Sequence, residues 1–408
     1  MGASLLRVAV SPLRRDIAPR DLARALPSVD AAVAEIRPEE PLHCLRPQAI
    51  TAAARSFVEA FAGKTLYAVK CNPDPRVLSA LWRGGVRAFD CASPAEISVV
   101  RQVLPEASIH YMHPVKARSA IRMAFAGGVR DFALDSTDEL EKILAETGAP
   151  DDLGLIVRIA LPKGGAALDL SGKFGVAPDE AAALVRRARC HARRLGLSFH
   201  VGSQCDDPAR WRAAMDLAAW IAAEAGVKID VLDVGGGFPS AYPGADLPVL
   251  AAFMAEIDGA FEALVERLGA MAPDDLWAEP GRALVAQGVS VVVQVQARRG
   301  NALYVSDGVY GSLSDAGALG WRYPVRLIRP SAAEKRPFTL FGPTCDSLDR
   351  MDGGFQLPDD VAEGDWIEVG QLGAYGASLR TAFNGFDRGH LIEVSDPPLL
   401  PTPGYAAA

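Results

Sequence analysis

The sequence predicts an α/β protein made of a (β/α)₈ TIM barrel followed by a second, mostly β domain, and two observations support this fold class. Eight short apolar runs follow one another along the first two thirds of the chain, and most neighbouring runs are separated by a helix-like stretch. Eight strands alternating with helices are typical of a (β/α)₈ barrel. After Arg282 the pattern changes to alternating, β-branched segments with few strong helices, which predicts a β-sandwich or β-barrel domain.

The order of the predicted elements divides the chain into three parts. The barrel strands are predicted at residues 66–69, 86–91, 109–112, 131–134, 155–159, 197–201, 231–234 and 276–278. Helices are predicted at residues 94–104, 137–146, 178–195 and 208–225, with Ser136 as the N-cap of the second and Glu139 at capping-box distance. Strands of the β domain are predicted at 289–297, 302–305, 338–341 and 366–369. We therefore expect a barrel over residues 45–285, a β domain over 286–408 and an N-terminal segment, 1–44, that partly packs on the β domain.

Composition and charge exclude several classes of protein. Half of the 408 residues are hydrophobic, enough for a folded core, and the formal net charge of −8 argues against nucleic acid or an anionic membrane as the main partner. No apolar run reaches the roughly 18 residues of a membrane helix, and no secretory h-region follows the first residue. The six cysteines form no CxxC pair, which predicts reduced thiols and a cytoplasmic location. We expect no metal site, since His110 and His113 are better explained as a strand-end pair.

Polar groups capable of chemistry follow most of the predicted barrel strands. In this fold the active site lies at the C-terminal ends of the strands, so these groups are expected to meet. They are Lys70, Asp90, Ser93, Arg158, His200, Ser203, the triplet Gly235, Gly236 and Gly237, and the turn from Glu279 to Arg282. Each one alone is also explained as an ordinary loop residue, but six of eight strands end in this way.

The chemical types of these groups indicate a cofactor. A lysine such as Lys70 can condense with a carbonyl to form an imine. The glycine triplet and the Gly281–Arg282 turn follow the last two strands, where this fold usually binds phosphate. A phosphate, an imine-forming lysine and a carboxylate together suggest pyridoxal phosphate, whose ring nitrogen needs an acidic partner such as Glu279.

The motifs resemble those of the ornithine/diaminopimelate/lysine decarboxylase family, fold type III pyridoxal-phosphate enzymes on an alanine-racemase-like barrel. The resemblance runs in order from about residue 45 to 390. The matching stretches are Tyr67-Ala-Val-Lys-Cys-Asn72, Phe89-Asp-Cys-Ala-Ser93, Ser171-Gly-Lys-Phe-Gly175, Phe199-His-Val-Gly-Ser203, Asp233-Val-Gly-Gly-Gly-Phe-Pro239, Ala278-Glu-Pro-Gly-Arg282, Asp307-Gly-Val-Tyr-Gly311, Gly342-Pro-Thr-Cys-Asp-Ser-Leu-Asp349, Gly373-Ala-Tyr375 and Phe383-Asn-Gly-Phe386.

The resemblance implies a role for each matched residue around the cofactor. Lys70 is expected to hold pyridoxal phosphate through an imine, His200 to stack on its ring and Glu279 to contact the ring nitrogen. Asp90 and Arg158 are expected around the imine. The expected phosphate contacts are Ser203, Gly235, Gly236, Gly237, Gly281, Arg282 and Tyr375.

The resemblance also implies a homodimer whose active sites are shared between subunits. Cys345 and Asp346 match a pair that enters the opposite subunit's site, where Cys345 would return a proton to the α-carbon and Asp346 would hold the distal ammonium. Lys173 and Asp349 are similar to an ion pair across that interface. Tyr310 and Asp315 complete the expected substrate contacts.

The activity implied by the resemblance is decarboxylation of a basic L-amino acid. L-Ornithine to putrescine is the leading expectation, with L-lysine to cadaverine second, because aspartate rather than glutamate stands at position 346. Leu319 falls where eukaryotic-type ornithine decarboxylases have a second aspartate, and Asp315, four residues earlier, is the candidate to replace it. Arginine, diaminopimelate and diaminobutyrate therefore stay open as substrates. A racemase and a catalytically silent regulatory homologue are weaker alternatives, disfavoured by the motif around Cys345 and by the retained Lys70.

Overall fold

The computed structural model describes residues 25–162, 172–318 and 320–405. The first 24 residues of the N-terminal segment, Ser171 and Leu319 lie outside the described residues.

Strand β1 (Leu42–Leu45) comes first, and the next eight strands are parallel and close into a barrel, which confirms the predicted fold class. Their bounds are β2 Lys64–Ala68, β3 Ala88–Cys91, β4 Ser108–Tyr111, β5 Asp131–Leu134, β6 Gly154–Arg158, β7 Arg194–Ser198, β8 Val231–Asp233 and β9 Asp275–Ala278. Strand β2 pairs with both β3 and β9, and this second pairing closes the ring.

Helices cover the outside of the barrel, and several begin where a side chain caps the first turn. The helices are α1 Val29–Ile36, α2 Pro47–Ala60, α3 Pro75–Arg83, α4 Pro94–Val103, α5 Arg118–Ala126, α6 Thr137–Thr147, α7 Pro178–Arg189, α8 Ala209–Ala225, α9 Leu250–Leu268, α10 Arg282–Val285 and α11 Ser314–Ala318. The Ser93 hydroxyl accepts from the Glu96 N–H at the start of α4, and Ser136 does the same with Glu139 at α6. None of the helices in the described part of the chain combines the length and apolar composition needed to cross a membrane.

The β domain is one mixed sheet that takes in a strand from before the barrel. Its strands are β10 Val289–Arg299, β11 Ala302–Val305, β12 Val325–Leu327, β13 Lys335–Phe341, β14 Arg350–Pro358, β15 Trp366–Val369 and β16 His390–Glu393. The first six of these lie side by side in the order β12-β15-β10-β11-β13-β14. Strand β1 pairs antiparallel with β10 and parallel with β16. Helix α1 packs beside it through Val29 and Val33, so the described part of the N-terminal segment lies against the β domain.

Candidate active site

A cavity of about 520 Å³ opens where the barrel strands end, and it gathers most of the predicted site residues. Those that line it are Lys70, Asp90, Arg158, His200, Ser203, Gly236, Gly237, Glu279, Gly281, Arg282 and Tyr375. Gly235 lies next to the lining, whereas Tyr310, Asp315, Cys345 and Asp346 do not line this cavity. The predicted residues therefore fall into a barrel group and a second group elsewhere.

Lys70 lies in a short 3₁₀ turn directly after β2, and its amine is held by a carboxylate. Its Nζ is 3.2 Å from Oδ2 of Asp90, which is buried at the end of β3. The Asp90 carboxylate raises the pKa of Lys70 well above its usual value, so this amine carries a proton in the free chain. The Lys70 side chain is 45% exposed and so remains accessible from the cavity.

His200 follows β7 and presents a neutral ring to the cavity. Burial, together with the nearby charges of Arg158 and Lys70, lowers the pKa of His200 well below its usual value. The Gly202 N–H donates to Nδ1 at 3.0 Å, which assigns the ring proton to Nε2. A neutral, fixed imidazole is suited to stacking against a flat cofactor ring.

The glycine triplet after β8 allows bare backbone to approach the cavity. A Cβ on Gly236 would lie 2.6 Å from the Glu279 carbonyl oxygen and 3.1 Å from His200 Nε2. Gly235 and Gly237 have φ of +66° and +105°, which a larger residue rarely adopts. Only glycine fits this turn, and peptide N–H groups without side chains are suited to cradling an anion.

Two buried carboxyl groups lie together at the ends of β8 and β9. Burial, followed by the neighbouring carboxylates of Asp233 and Asp90, raises the pKa of Glu279 well above its usual value. Burial also raises the pKa of Asp233 to about 6. Asp233 Oδ1 accepts the Gly235 N–H at 2.8 Å, while its Oδ2 has no hydrogen-bond partner among the described residues. Burial and mutual repulsion therefore favour a bound proton on this pair.

Sequence reasoning assigned Glu279 but missed Asp233, which it quoted only as the first residue of the glycine motif. The available signal was a carboxylate on an apolar strand directly before three glycines. Its pairing with Glu279 depends on two adjacent barrel strands and is not readable from spacing.

Arg282 begins α10 and is almost completely buried. Its Nη1 donates to the Tyr242 hydroxyl at 2.9 Å and its Nη2 to Asp315 Oδ2 at 3.1 Å. The rings of Trp321 and Tyr375 lie 4.3 and 4.9 Å from the guanidinium carbon. Its Nε is buried without a hydrogen-bond partner among the described residues, and the residue lines the cavity as a fixed cation suited to an anion.

Asp315 has a different environment from the one its predicted substrate contact suggested, and that contact stays a prediction. The sequence predicted a substrate contact, but the structure places its carboxylate, 12% exposed, in an ion pair with Arg282. The pairing follows from helix α11 packing close to the start of α10, a tertiary relation between residues 33 positions apart.

Tyr310, Cys345 and Asp346 form the second group, on exposed loops of the β domain. The Cys345 N–H donates to Asn384 Oδ1 at 3.0 Å, and Cys345 itself is exposed. The Tyr310 hydroxyl donates to Asp346 Oδ2, and the Leu348 N–H donates to Oδ1 at 2.9 Å. These two donors lower the pKa of Asp346, with the backbone N–H as the larger cause. The group is a fixed, ionised carboxylate beside a free thiol.

Asp349 has a different environment from the one its predicted interface pair suggested. Its buried carboxylate accepts from the Val309 N–H at 2.8 Å, the Thr344 N–H at 3.1 Å and the Thr344 hydroxyl at 2.7 Å. It therefore organises the loop that carries Cys345 and Asp346. A contact with Lys173 of a second subunit stays a prediction.

The barrel group fits pyridoxal phosphate on structural grounds. Lys70 offers an accessible amine, Gly236 and Gly237 a backbone cradle that a Cβ would fill, and Arg282 an unpaired buried donor. Glu279 adds a buried carboxyl for a basic ring nitrogen. Hydrogen-bond donors for a phosphate and an acidic group for a ring nitrogen thus lie in one cavity.

Comparisons with known proteins agree with this arrangement. Residues 48–286 match the family described as "Pyridoxal-dependent decarboxylase, pyridoxal binding domain". The ornithine decarboxylase of Panagrellus redivivus is 36% identical over 350 residues, covering 79% of this chain and 78% of that protein. Among solved structures, the arginine decarboxylase of Paramecium bursaria Chlorella virus has a TM-score of 0.79 and 28% identity, covering 90% and 99% of the two chains. The Vibrio vulnificus lysine/ornithine decarboxylase complexed with putrescine has a TM-score of 0.76 and 31% identity, with the same coverage.

Proposed function

This chain belongs to the pyridoxal-dependent decarboxylases and is a pyridoxal-phosphate-dependent enzyme, and from that premise we propose that it decarboxylates L-ornithine to putrescine. L-Lysine, giving cadaverine, is proposed as its second substrate, and polyamine synthesis as its purpose. One observation carries the proposal: Asp346 is an ionised carboxylate, oriented by Tyr310 and the Leu348 N–H, next to the free thiol of Cys345. Such a carboxylate suits the distal ammonium of a diamino acid.

The residues of the barrel group would bind the cofactor and control protons around it. When bound, pyridoxal phosphate accepts the electron pair left by the departing CO₂. Lys70 would hold the cofactor's carbonyl end, and Asp90, 3.2 Å from Lys70 Nζ, would favour a proton on that nitrogen. The Glu279–Asp233 pair, on which burial favours a proton, would serve as the acidic partner of a basic ring nitrogen. His200 and Arg158 line the cavity, while Gly236, Gly237, Ser203 and Arg282 would hold the phosphate.

The second group would complete the site from a partner subunit. In the described chain Cys345, Asp346 and Tyr310 do not line the cavity that contains Lys70. The loops around them also expose Leu348, Phe383 and Phe386, at 73, 43 and 44%. We propose a homodimer that buries these side chains and inserts Cys345, as the acid that protonates the product α-carbon, into the neighbouring cavity.

A substrate panel tests the proposed reaction. The purified protein with pyridoxal phosphate is given L-ornithine, L-lysine, L-arginine, diaminopimelate and L-2,4-diaminobutyrate, and CO₂ and product mass are measured. The expected result is a higher kcat/KM for ornithine than for the other four, with lysine second. Preferred turnover of diaminopimelate, which carries a second carboxylate beside its distal ammonium, would contradict the role proposed for Asp346.

L-Arginine is the second candidate substrate, favoured by the likeness to the Chlorella virus arginine decarboxylase over 90% of this chain. A guanidinium would bind Asp346 in a bidentate manner, whereas an ammonium would make a point contact. Replacing Asp346 with Asn should therefore reduce kcat/KM for whichever amino acid is the substrate. Agmatine rather than putrescine as the main product would favour L-arginine.

Complementation tests the shared site. Lys70→Ala and Cys345→Ala chains, each expected to be inactive alone, are mixed, dissociated and reassociated. Random pairing should restore about a quarter of wild-type activity, because half of the dimers are mixed and each has one intact site. Heterodimers verified by mass that stay inactive would show that Lys70 and Cys345 act within one chain.

The cysteines support a proposed cytoplasmic location. All six lie within the described residues and are free, and four of them are buried. Burial raises the pKa of the Cys205 thiol to about 11, which keeps it protonated and unreactive. Cell fractionation tests the location, and recovery in a secreted fraction would contradict it.

A further inference from the structure

The guanidinium of Arg282 is held by residues of two segments, the loop after β8 and helix α11 with the turn that follows it. Tyr242, from the loop after β8, accepts from Nη1, and Asp315, from α11, accepts from Nη2. The Trp321 ring lies 4.3 Å from the guanidinium carbon. Both terminal nitrogens thus donate to protein oxygens, and the Arg282 side chain so held lines the cavity.

Asp315 contributes to this clamp twice. Its side chain makes the ion pair, and its backbone carbonyl accepts the Trp321 N–H at 3.2 Å, which fixes the residue whose ring covers the guanidinium. The Trp321 ring in turn lies 5.2 Å from that of Tyr242. Asp315, Trp321 and Tyr242 therefore form one connected support around Arg282.

We infer that Asp315 is a positioning residue for cofactor binding: it fixes Arg282, which lines the cavity, in the orientation that serves the phosphate of pyridoxal phosphate. The inference rests on the phosphate-binding role proposed above for Arg282. An arginine donor that is fixed before the anion arrives gives tighter binding, because less side-chain freedom is lost on binding. The short helix α11 is thereby tied to the cofactor through Asp315, and recognition of the distal amine falls to Asp346 and Tyr310.

Cofactor titrations of the apoprotein test the inference without measuring turnover. Affinities for pyridoxal phosphate and for pyridoxal, which has no phosphate, are measured by absorbance for wild type, Asp315→Asn, Asp315→Ala and Tyr242→Phe. Loss of one charge-assisted hydrogen bond corresponds to about a tenfold loss of affinity. We expect Asp315→Ala to lose about that much for pyridoxal phosphate and Asp315→Asn less, since its amide oxygen still accepts from Arg282. Affinity for pyridoxal should stay within about twofold.

Tyr242→Phe keeps the ring and removes only the hydroxyl, so it separates positioning from misfolding. It should also lower the affinity for pyridoxal phosphate and leave the affinity for pyridoxal unchanged. A distorted cavity would lower both affinities equally. The ratio of ornithine to lysine turnover at saturating cofactor should not change in the Asp315 variants. A changed ratio of ornithine to lysine turnover, with normal affinity for pyridoxal phosphate, would show that Asp315 contacts the substrate. That result would overturn the inference. Tighter binding by Asp315→Asn would also overturn it, since Asp315 would then act only as a competing negative charge.

Arg282→Met distinguishes failure of the inference from failure of its premise. If Arg282→Met binds pyridoxal phosphate as tightly as wild type does, the proposed phosphate contact is wrong. If Arg282→Met loses affinity but the Asp315 and Tyr242 variants do not, the contact stands and the positioning role is overturned.

Discussion

At the scale of single residues, Gly236 shows how closely the backbone is packed around the cavity. Its φ is not in the left-handed region, so the constraint is steric: a Cβ would lie 2.6 Å from the Glu279 carbonyl oxygen and 3.1 Å from His200 Nε2. Gly236→Ala should therefore displace the residues that flank the cofactor. We expect at least a tenfold loss of pyridoxal phosphate affinity, measured by absorbance titration, which corresponds to about 1.4 kcal/mol.

A glycine outside the site provides the control for this substitution. Gly259 lies inside helix α9, and a Cβ there would meet only the flexible end of Arg212, at 3.2 Å. Gly259→Ala should leave cofactor affinity unchanged and slightly raise stability, because alanine favours helix by up to about 1 kcal/mol. Equal cofactor affinity in the two variants would contradict the close packing inferred at Gly236.

His43 is a buried residue whose protonation is linked to folding. Burial, with a contribution from Arg380, lowers the pKa of His43 to about 3. The folded state therefore excludes a proton that the unfolded chain binds at about pH 6.5. The stability that His43 provides is complete above pH 6.5 and is lost as the pH falls below that value. Between pH 7.5 and 5 this loss amounts to about 2 kcal/mol.

His43→Asn isolates this effect from every other titrating group, because the asparagine cannot bind the proton. The free energy of unfolding of both proteins is measured by urea denaturation at pH 7.5 and pH 5. Lowering the pH from 7.5 to 5 should reduce the free energy of unfolding by about 2 kcal/mol less in the variant than in wild type. A difference between the two proteins that does not vary with pH would show that His43 is not held neutral.

Residue types at the barrel strand ends could be predicted from the sequence, whereas their partners could not. Lys70, Asp90 and Glu279 line the cavity as expected, because strand ends of a barrel meet at one face. Asp315 and Asp233 show the limit. The first pairs with Arg282 and the second with Glu279 through contacts between elements far apart in sequence, for which a single chain gives no signal.

At the scale of elements, the loop from β13 to β14 depends on Asp349. Its buried carboxylate accepts three hydrogen bonds, two from Thr344 and one from Val309. Asp349→Ala leaves these donors unpaired, and we expect the free energy of unfolding to fall by about 2–4 kcal/mol. The loop carries Cys345 and Asp346, so kcat/KM should fall by more than the unfolded fraction explains.

Asp352 is the matched control on the neighbouring strand. Its carboxylate is exposed and paired with Arg350 at 2.7 Å. Removing an exposed ion pair costs little, so Asp352→Ala should keep both stability and kcat/KM close to wild type. If Asp349→Ala behaves like Asp352→Ala in denaturation and kinetics, the loop does not depend on its carboxylate.

Elements of the barrel were predictable because their apolar runs are short and separated by helices. Each barrel strand begins and ends within about three residues of its prediction. Strand β14 was not predicted, because Gly353 and Gly354 interrupt it and suggest a turn. In the structure it pairs with β13 across a register shift between Phe338 and Leu340. Strand β1 was also not predicted, since its partners β10 and β16 lie more than 240 residues away.

At the scale of the whole molecule, Arg46 joins the barrel to the β domain. It stands just before helix α2, and its guanidinium donates to Ser290 and Glu368, each at 2.9 Å, and to the Asp396 carbonyl oxygen at 2.9 Å. Arg46 and Glu368 are 1% and 0% exposed. Glu368 also accepts from Arg326, which pairs with Asp30 of α1. This network joins the start of the barrel to the sheet and to helix α1.

The buried charges of this network predict an asymmetry between breaking it and replacing it. Arg46→Met leaves Glu368 buried with one cation instead of two, and we expect the free energy of unfolding to fall by about 3–5 kcal/mol. Adding Glu368→Leu removes the uncompensated carboxylate, so the double variant should recover part of this loss despite carrying one more substitution. Arg326→Met, at a site 32% exposed, should cost less than Arg46→Met. Urea denaturation of the four proteins measures these differences, and a double variant less stable than Arg46→Met would mean that Glu368 stabilises the β domain independently of Arg46.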